Sequence, residues 1–380
     1  MQSIQGRDLR SGEVVRVVVD NGFIQTILPA SSDCSAEERW LSPGFIDLQI
    51  NGYCGYDLNA ESLTPDTVIA LAQRLVAQGV TTFLPTLITA AEEQLLASLR
   101  AIATARRISV LASHMIPFVH VEGPHLSPTD GPRGAHPRAH VRPPDCDELG
   151  RWQAASDGLV GLVTMSPHWD GALDYIAHLA SRGILVALGH TDAAPERIHA
   201  AAQAGAVLST HLGNGVAGDL PRHPNLLWAQ LADDRLTATF IADGHHLPAD
   251  TLIAMLRAKG IERSVLVSDS VAIGGLSPGI YETPVGGTVE LTAEGRIGLP
   301  GTRILAGAAL PLRNGIANVA RLPGFSLRQA VQMATENPGR FAGGRGTLRP
   351  GTPADLVQFT WDPADGNLEI GRVFVRGLEQ

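Results

Sequence analysis

Cysteine is scarce in this chain. Three residues in 380, Cys34, Cys54 and Cys146, are odd in number and far apart. They form no ligand-like pair and no disulfide framework, which leaves them as buried or incidental thiols and makes the cytoplasm the expected location. No uninterrupted apolar run approaches the roughly 20 residues that a membrane span needs. The stretch from Met1 to Arg10 lacks a basic segment followed by an apolar core, so no signal peptide is expected. Positive charge is also short: 29 Lys and Arg face 38 Asp and Glu, a formal net charge of −9. That balance argues against a non-specific nucleic-acid binder, and an anionic substrate would need local basic residues working against the global field. No glycine-rich nucleotide loop, serine nucleophile elbow or cysteine–histidine pair stands out.

What is present suits a soluble globular chain with an ample core: 44% hydrophobic and 18% charged residues, with Gly 41 and Pro 25 scattered as turns between apolar runs. The length fits a barrel of about 250 residues with an accessory module. Residues 14–19 and 23–28 alternate like strands around Asp20-Asn21-Gly22, a strong hairpin signal because Asn-Gly tolerates positive φ at both turn positions. Residues 354–359 and 372–375 repeat the theme at the other end. A stretch from about Tyr281 to Ile304, with Gly286-Gly287 and Glu294-Gly295 turns, predicts a further hairpin near the end of the barrel. Between the termini, strands are expected at 44–50, 81–88, 116–121, 161–165, 184–188, 206–209, 237–241 and 264–267. Ala-rich amphipathic helices at 64–78, 92–107, 173–182 and 195–204 interleave with them. The expected fold is therefore α/β: a (β/α)8 TIM-type barrel at 43–345, with a small β-sandwich domain built from both termini, 1–42 and 346–380.

The chemistry sits where those strands end. Glu122-Gly123-Pro124, Gly189-His190-Thr191-Asp192 and Thr210-His211-Leu212-Gly213-Asn214 each follow a short apolar run. A lone Glu or His there would more simply be a cap or a packing residue. One carboxylate and two imidazoles at the ends of strands three, five and six of one barrel are better explained by a shared metal, with the fourth position open to water. Asp269 ends strand eight, placed to accept a proton from that water and deliver it to a leaving amine. His120, two residues before Glu122, shares its strand face and is read as supporting or packing rather than ligating. Gln49 and Asn51 share a face at the end of strand one, where neutral amides suit hydrogen bonding better than zinc. Of the adjacent His245 and His246 after strand seven, at most one faces a substrate. Arg222 lies in a loop after strand six and gains a purpose only if the substrate is anionic, since a guanidinium binds phosphate bidentately.

Taken together the chain resembles the N-acetylglucosamine-6-phosphate deacetylase family of the amidohydrolase superfamily, nearly end to end. The resemblance rests on Pro43-Gly44-Phe45-Ile46-Asp47, Leu84-Pro85-Thr86-Leu87-Ile88-Thr89, His120-Val121-Glu122-Gly123-Pro124, Gly189-His190, Thr210-His211-Leu212 with Asn214, and Ile241-Ala242-Asp243-Gly244. In the tail it rests on Glu336-Asn337-Pro338, Gly346-Thr347-Leu348 and the run from Gly351 to Val357. It implies Glu122, His190 and His211 as ligands of one divalent metal, expected to be zinc, and Asp269 as the catalytic acid and base. It also implies His246 as the histidine that orients or polarises the acetyl carbonyl. Ala135, His136, Asn214, Gly215, Leu310, Pro311 and Leu312 are implied in sugar binding, and Arg222 reaches the phosphate in a neighbouring subunit, so a homodimer is implied. Gln49 and Asn51 stand where two-metal relatives carry His-x-His. His125, Gly213 and His245 depart from the residue types usual there and are expected to reshape the walls around the sugar.

The reading is hydrolysis of the acetamide of N-acetylglucosamine 6-phosphate to glucosamine 6-phosphate and acetate, with a small-molecule partner and neither nucleic acid nor membrane. Its rivals are an acetamido sugar that is unphosphorylated or epimeric, a cyclic-amide amidohydrolase, and a non-catalytic sugar-binding barrel. The cyclic-amide enzymes often use a carboxylated lysine, and no lysine sits at an expected strand end.

Overall fold

Asn21 and Gly22 adopt the positive φ their types allow, 51° and 79°, and turn Val14–Asp20 back onto Phe23–Pro29 with Asp20 opposite Phe23. This hairpin belongs to a seven-stranded sheet in a computed structural model that describes residues 2–30, 39–283, 287–302 and 305–380. Gln2–Asp8 pairs with Val14–Asp20, Trp40–Pro43 links to Leu356–Asp362, and Asn367–Val375 and Leu378–Glu379 complete the far edge. The sheet curls so that Ile24 donates to Thr352 O at 2.9 Å and accepts from Gly351 N at 2.7 Å. Inside the curl lie Ile4, Val15, Val17, Val19, Ile24, Leu41, Leu356 and Phe374. Cys34 lies outside the described residues, while Cys54 and Cys146 are free thiols.

Eight parallel strands follow, each hydrogen-bonded to the next in chain order: β1 (Phe45–Ile50), β2 (Val80–Ile88), β3 (Val119–Glu122), β4 (Val160–Met165), β5 (Leu185–Leu188), β6 (Leu208–Ser209), β7 (Thr237–Ile241) and β8 (Ser264–Val267). Closure between β8 and β1 is made just past β8. Ser268 N donates to the Asp47 carboxylate, Asp269 N to Gln49 O at 3.0 Å, and Asn51 N to Ser270 O at 2.9 Å. The strands show the period-two logic of a filled barrel. Ile46, Leu48, Leu84, Leu162, Ala187, Leu208, Ile241 and Val265 pack together inside. Their neighbours Phe83, Val163, Val186 and Phe240 pack outward in the helical layer.

The helices form where their signals are. Pro65–Val76 starts on Thr64, whose side chain accepts from Thr67 N; Pro65 opens the first turn, and Val68, Leu71, Ala72, Leu75 and Val76 are the buried stripe. Glu92–Ile108, Ala172–Ser181 and Pro195–Ala204 fall within two residues of their expected spans. After β8 the chain builds more than the expected hairpin. Gly279–Thr283, Gly287–Leu291, Arg296–Gly298 and Leu305–Ala308 form a four-stranded antiparallel sheet over its own core of Ile273, Val289, Leu291 and Ile297. Gly286 and Ile304, part of that expectation, lie outside the described residues. Among the described residues no helix is long and apolar enough to cross a membrane.

Candidate active site

Three site residues take left-handed backbone angles that side chains rarely adopt: His190 (φ 49°), His211 (φ 28°) and Asp269 (φ 50°). Each lies two residues past a barrel strand. Such conformations cost about 1–3 kcal/mol apiece and persist where the surroundings over-determine them. They turn the chain sharply at the barrel mouth, and all three side chains line the same cavity of about 250 Å³.

At its floor Glu122, His190 and His211 converge. Glu122 Oε1 lies 3.0 Å from His211 Nε2 and 3.3 Å from His190 Nε2, and the two Nε2 atoms are 3.1 Å apart. Three buried donors spaced like this match the edge of a tetrahedron with ligand bonds of about 2.0 Å, which is about 3.3 Å. His190 Nδ1 donates to the carbonyl of Pro132 at 2.9 Å, so its Nε2 carries the lone pair that a metal requires. Gln49 Nε2 donates to Glu122 Oε1 at 2.9 Å and steadies the carboxylate. Burial acts to raise the Glu122 pKa, but the neighbouring His190 and His211 together outweigh that and hold it well below the usual range. Burial acts to lower the His211 pKa, and the hydrogen bond and charge of Glu122, with the charge of Asp269, together outweigh it and raise it. The donor set fits a divalent cation.

Beside this floor Asp269 accepts from Asn51 Nδ2 at 2.7 Å. Burial, and then the charge of Glu122, raise its pKa to about 6 against the opposing pull of His211, His246 and Asn51. His246 faces the cavity with Nδ1 held 2.7 Å from Asp243 Oδ2, and Asp243 Oδ1 accepts from the backbone N–H of both His245 and His246. His120 lies one layer deeper: Nε2 meets Thr164 Oγ1 at 2.8 Å and Nδ1 meets Thr86 Oγ1 at 3.3 Å, so neither nitrogen is open.

A fourth group reaches the floor. His136, on the loop after β3, places Nε2 at 4.0 Å from Glu122 Oε2, and its ring centroid lies 4.3 Å from that of His190. Glycines leave the room that the His190 ring occupies. A Cβ on Gly215 would lie 2.7 Å from His190 Nδ1, and one on Gly134 would lie 3.2 Å from the same ring. Arg142 anchors the loop by pairing with Glu148 and donating to the carbonyls of Ala90 and His140.

Ala135, His136, Asn214, Gly215 and His246 thus line one cavity with Glu122, His190, His211 and Asp269. Leu310, Pro311 and Leu312 do not; Leu305, Ala306 and Gly307, the last strand of the four-stranded sheet, stand there instead. Arg222 is exposed on its loop and outside the cavity of its own chain. The three unusual residues also lie away from the lining, contrary to expectation. His125 is fully buried in the helical layer, stacked on Trp152 and edge-on to Tyr175. Gly213 faces Leu247 and Met255, and His245 Nε2 donates to Glu294 O at 3.0 Å. Asp57, Asn59 and Thr283 line the cavity without a sequence signal, because a short hairpin and the added sheet carry them there.

Comparison with known proteins agrees with this architecture. Residues 40–378 match the amidohydrolase family. The chain is 32% identical over 355 residues to N-acetylglucosamine-6-phosphate deacetylase of Bacillus subtilis, covering 90% of this chain and 87% of that one. It is 31% identical over 374 residues to N-acetylgalactosamine-6-phosphate deacetylase of Escherichia coli O157:H7, covering 94% and 93%. Among solved structures, an aspartate-to-alanine mutant of N-acetyl-D-glucosamine-6-phosphate deacetylase from Mycobacterium smegmatis, in complex with N-acetyl-D-glucosamine-6-phosphate, superposes with a TM-score of 0.87. It is 28% identical, with 100% of this chain and 98% of that one covered. A barrel with one carboxylate and two imidazoles at its mouth, matched over nearly its whole length, places this chain in the amidohydrolase family.

Proposed function

We propose that this protein removes the acetyl group from N-acetyl-D-glucosamine 6-phosphate, yielding D-glucosamine 6-phosphate and acetate. The observation that carries the reading is Asp269 facing the converged Glu122, His190 and His211 within one cavity. Glu122, His190 and His211 would hold a single divalent ion, which we assign as zinc; when bound it supplies a Lewis acid for the acetyl carbonyl and lowers the pKa of water. Asp269, held by Asn51, accepts a proton from the attacking water and returns it to the leaving amine. His246, which gives its Nδ1–H to Asp243, polarises the acetyl oxygen as an imidazolium, whose Nε2–H donates to the negative charge that builds there. Ala135, His136, Asn214 and Gly215 flank the sugar.

The cavity lining contains no lysine or arginine among the described residues, so a phosphate finds no cation within one chain. That supports a homodimer in which Arg222 enters the neighbouring site. Trp228, 54% exposed on the short helix Leu226–Ala232 beside the Arg222 loop, is the kind of apolar residue a second copy would cover. The two sheet systems support a division into 1–42, 43–345 and 346–380, and the free Cys54 and Cys146 suit the cytoplasm. A second reading, the galacto epimer of the same substrate, is supported by relatives of that activity at 31% and 32% identity. The deciding experiment measures kcat/KM for acetate release from both 6-phosphates and from the unphosphorylated sugars, on protein of known metal content. Preference for the gluco phosphate upholds the proposal. Equal or better turnover of the galacto or unphosphorylated sugar overturns it.

A further inference from the structure

Four groups face the cavity floor, and hydrogen-bond chemistry separates them. A carbonyl oxygen only accepts, so Pro132 forces the proton onto His190 Nδ1 and leaves Nε2 free to ligate. His136 has a different partner. Its Nδ1 lies 2.9 Å from the hydroxyl of Thr89, the residue that follows β2. Thr89 is buried, and its hydroxyl has no other hydrogen-bond partner among the described residues. A buried hydroxyl that received the Nδ1 proton would leave its own hydrogen unpaired, at a cost of about 1–3 kcal/mol. The hydroxyl therefore donates, Nδ1 accepts, and the imidazole proton resides on Nε2.

We infer that Thr89 is a positioning residue that holds His136 in the tautomer protonated on Nε2, making His136 a hydrogen-bond donor to a substrate oxygen and withholding it from the metal. The packing around Thr89 is built for this. A Cβ on Gly123, immediately after Glu122, would overlap the Thr89 hydroxyl, so the glycine of Glu-Gly-Pro makes the room in which that hydroxyl sits. His136 is itself buried. Arg133 Nη1 donates to the His136 carbonyl at 2.6 Å and fixes the backbone of the same residue. Threonine at 89 and carbonyl at 132 thus give two adjacent histidines opposite tautomers and opposite tasks. Only the catalytic half of the test rests on the deacetylase reading.

The tautomer is read directly from two-bond 1H–15N correlation spectra of 15N-histidine-labelled, zinc-loaded protein, with His136 assigned by its loss in His136→Gln. The expected spectrum has His136 protonated on Nε2 in wild type and Thr89→Ser, and mixed in Thr89→Val. With N-acetylglucosamine 6-phosphate, Thr89→Val should lose tenfold or more in kcat/KM at unchanged zinc content, while Thr89→Ser stays within threefold of wild type. In a His136→Gln background Thr89→Val should cost nothing further. A wild-type His136 protonated on Nδ1, or bound to zinc through Nε2, overturns the inference, as does a Thr89→Val loss that persists undiminished in the double variant. If wild-type protein releases no acetate, the deacetylase reading fails, and the spectra still decide the tautomer.

Discussion

Replacing Asp269 with asparagine should separate catalysis from stability. The side chain keeps its size, and its Oδ1 still accepts from Asn51 Nδ2, so the geometry beside Glu122 is retained. What disappears is the only proton carrier we assign in the cavity. General acid–base catalysis by a positioned carboxylate is worth about 10²–10⁴-fold, or about 3–5 kcal/mol of barrier at 1.36 kcal/mol per decade. The expected result is a fall in kcat of about a thousandfold, with metal content unchanged because the proposed ligands Glu122, His190 and His211 are untouched. Stability moves the other way. The folded pKa of Asp269 is raised from 3.8 to about 6. Its favourable contribution is therefore present below the unfolded value and is lost as pH rises through about 6. The metal-free asparagine variant should thus gain on metal-free wild type by up to about 3 kcal/mol at pH 8 and by almost nothing at pH 4. Acetate release, elemental analysis and urea melts of the chelated proteins at both pH values give the three readings. Activity within tenfold of wild type, or variant stability equal to wild type at pH 8, would refute the reasoning.

Gly215→Ala places a Cβ 2.7 Å from His190 Nδ1 at a backbone angle of φ +59°, so it should weaken zinc binding by about 10–100-fold in a chelator competition, and unchanged affinity would remove the packing role assigned to this glycine. Asp243→Asn loses the charge that orients His246 through Nδ1, and kcat should drop by about 10–100-fold with KM and metal content little changed; a purely structural role would instead show as a lowered Tm. Arg222→Ala should lower kcat/KM for the 6-phosphate by roughly 10–100-fold, the worth of about 1.5–3 kcal/mol for hydrogen bonds to a charged group, while sparing the unphosphorylated sugar. Equal losses on both substrates would show that Arg222 does not read the phosphate.

Local sequence determined a good deal here, because a barrel writes its mouth into the chain at regular intervals. Each apolar run that had to be buried on both faces announced a strand, and the polar residues just past it could only be at an end. The placement of Glu122, His190, His211 and Asp269 at the barrel mouth was legible for that reason, and so was the hairpin at Asn21-Gly22, whose backbone angles only a few residue types accept. Side-chain neighbourhood was another matter, since distance in space is decided by packing between segments far apart in the chain. His125, Gly213 and His245 sit next to motif residues in sequence yet turn into the helical layer or toward the added sheet. Asp57, Asn59 and Leu305-Ala306-Gly307 carry no motif and still line the cavity. The tertiary structure alone decided which nitrogen of each histidine is free, because that depends on what its other nitrogen meets: the Pro132 carbonyl, 58 residues before His190, or the Thr89 hydroxyl, 47 before His136. Strand ends are a property of local patterning; protons on imidazoles are a property of the fold.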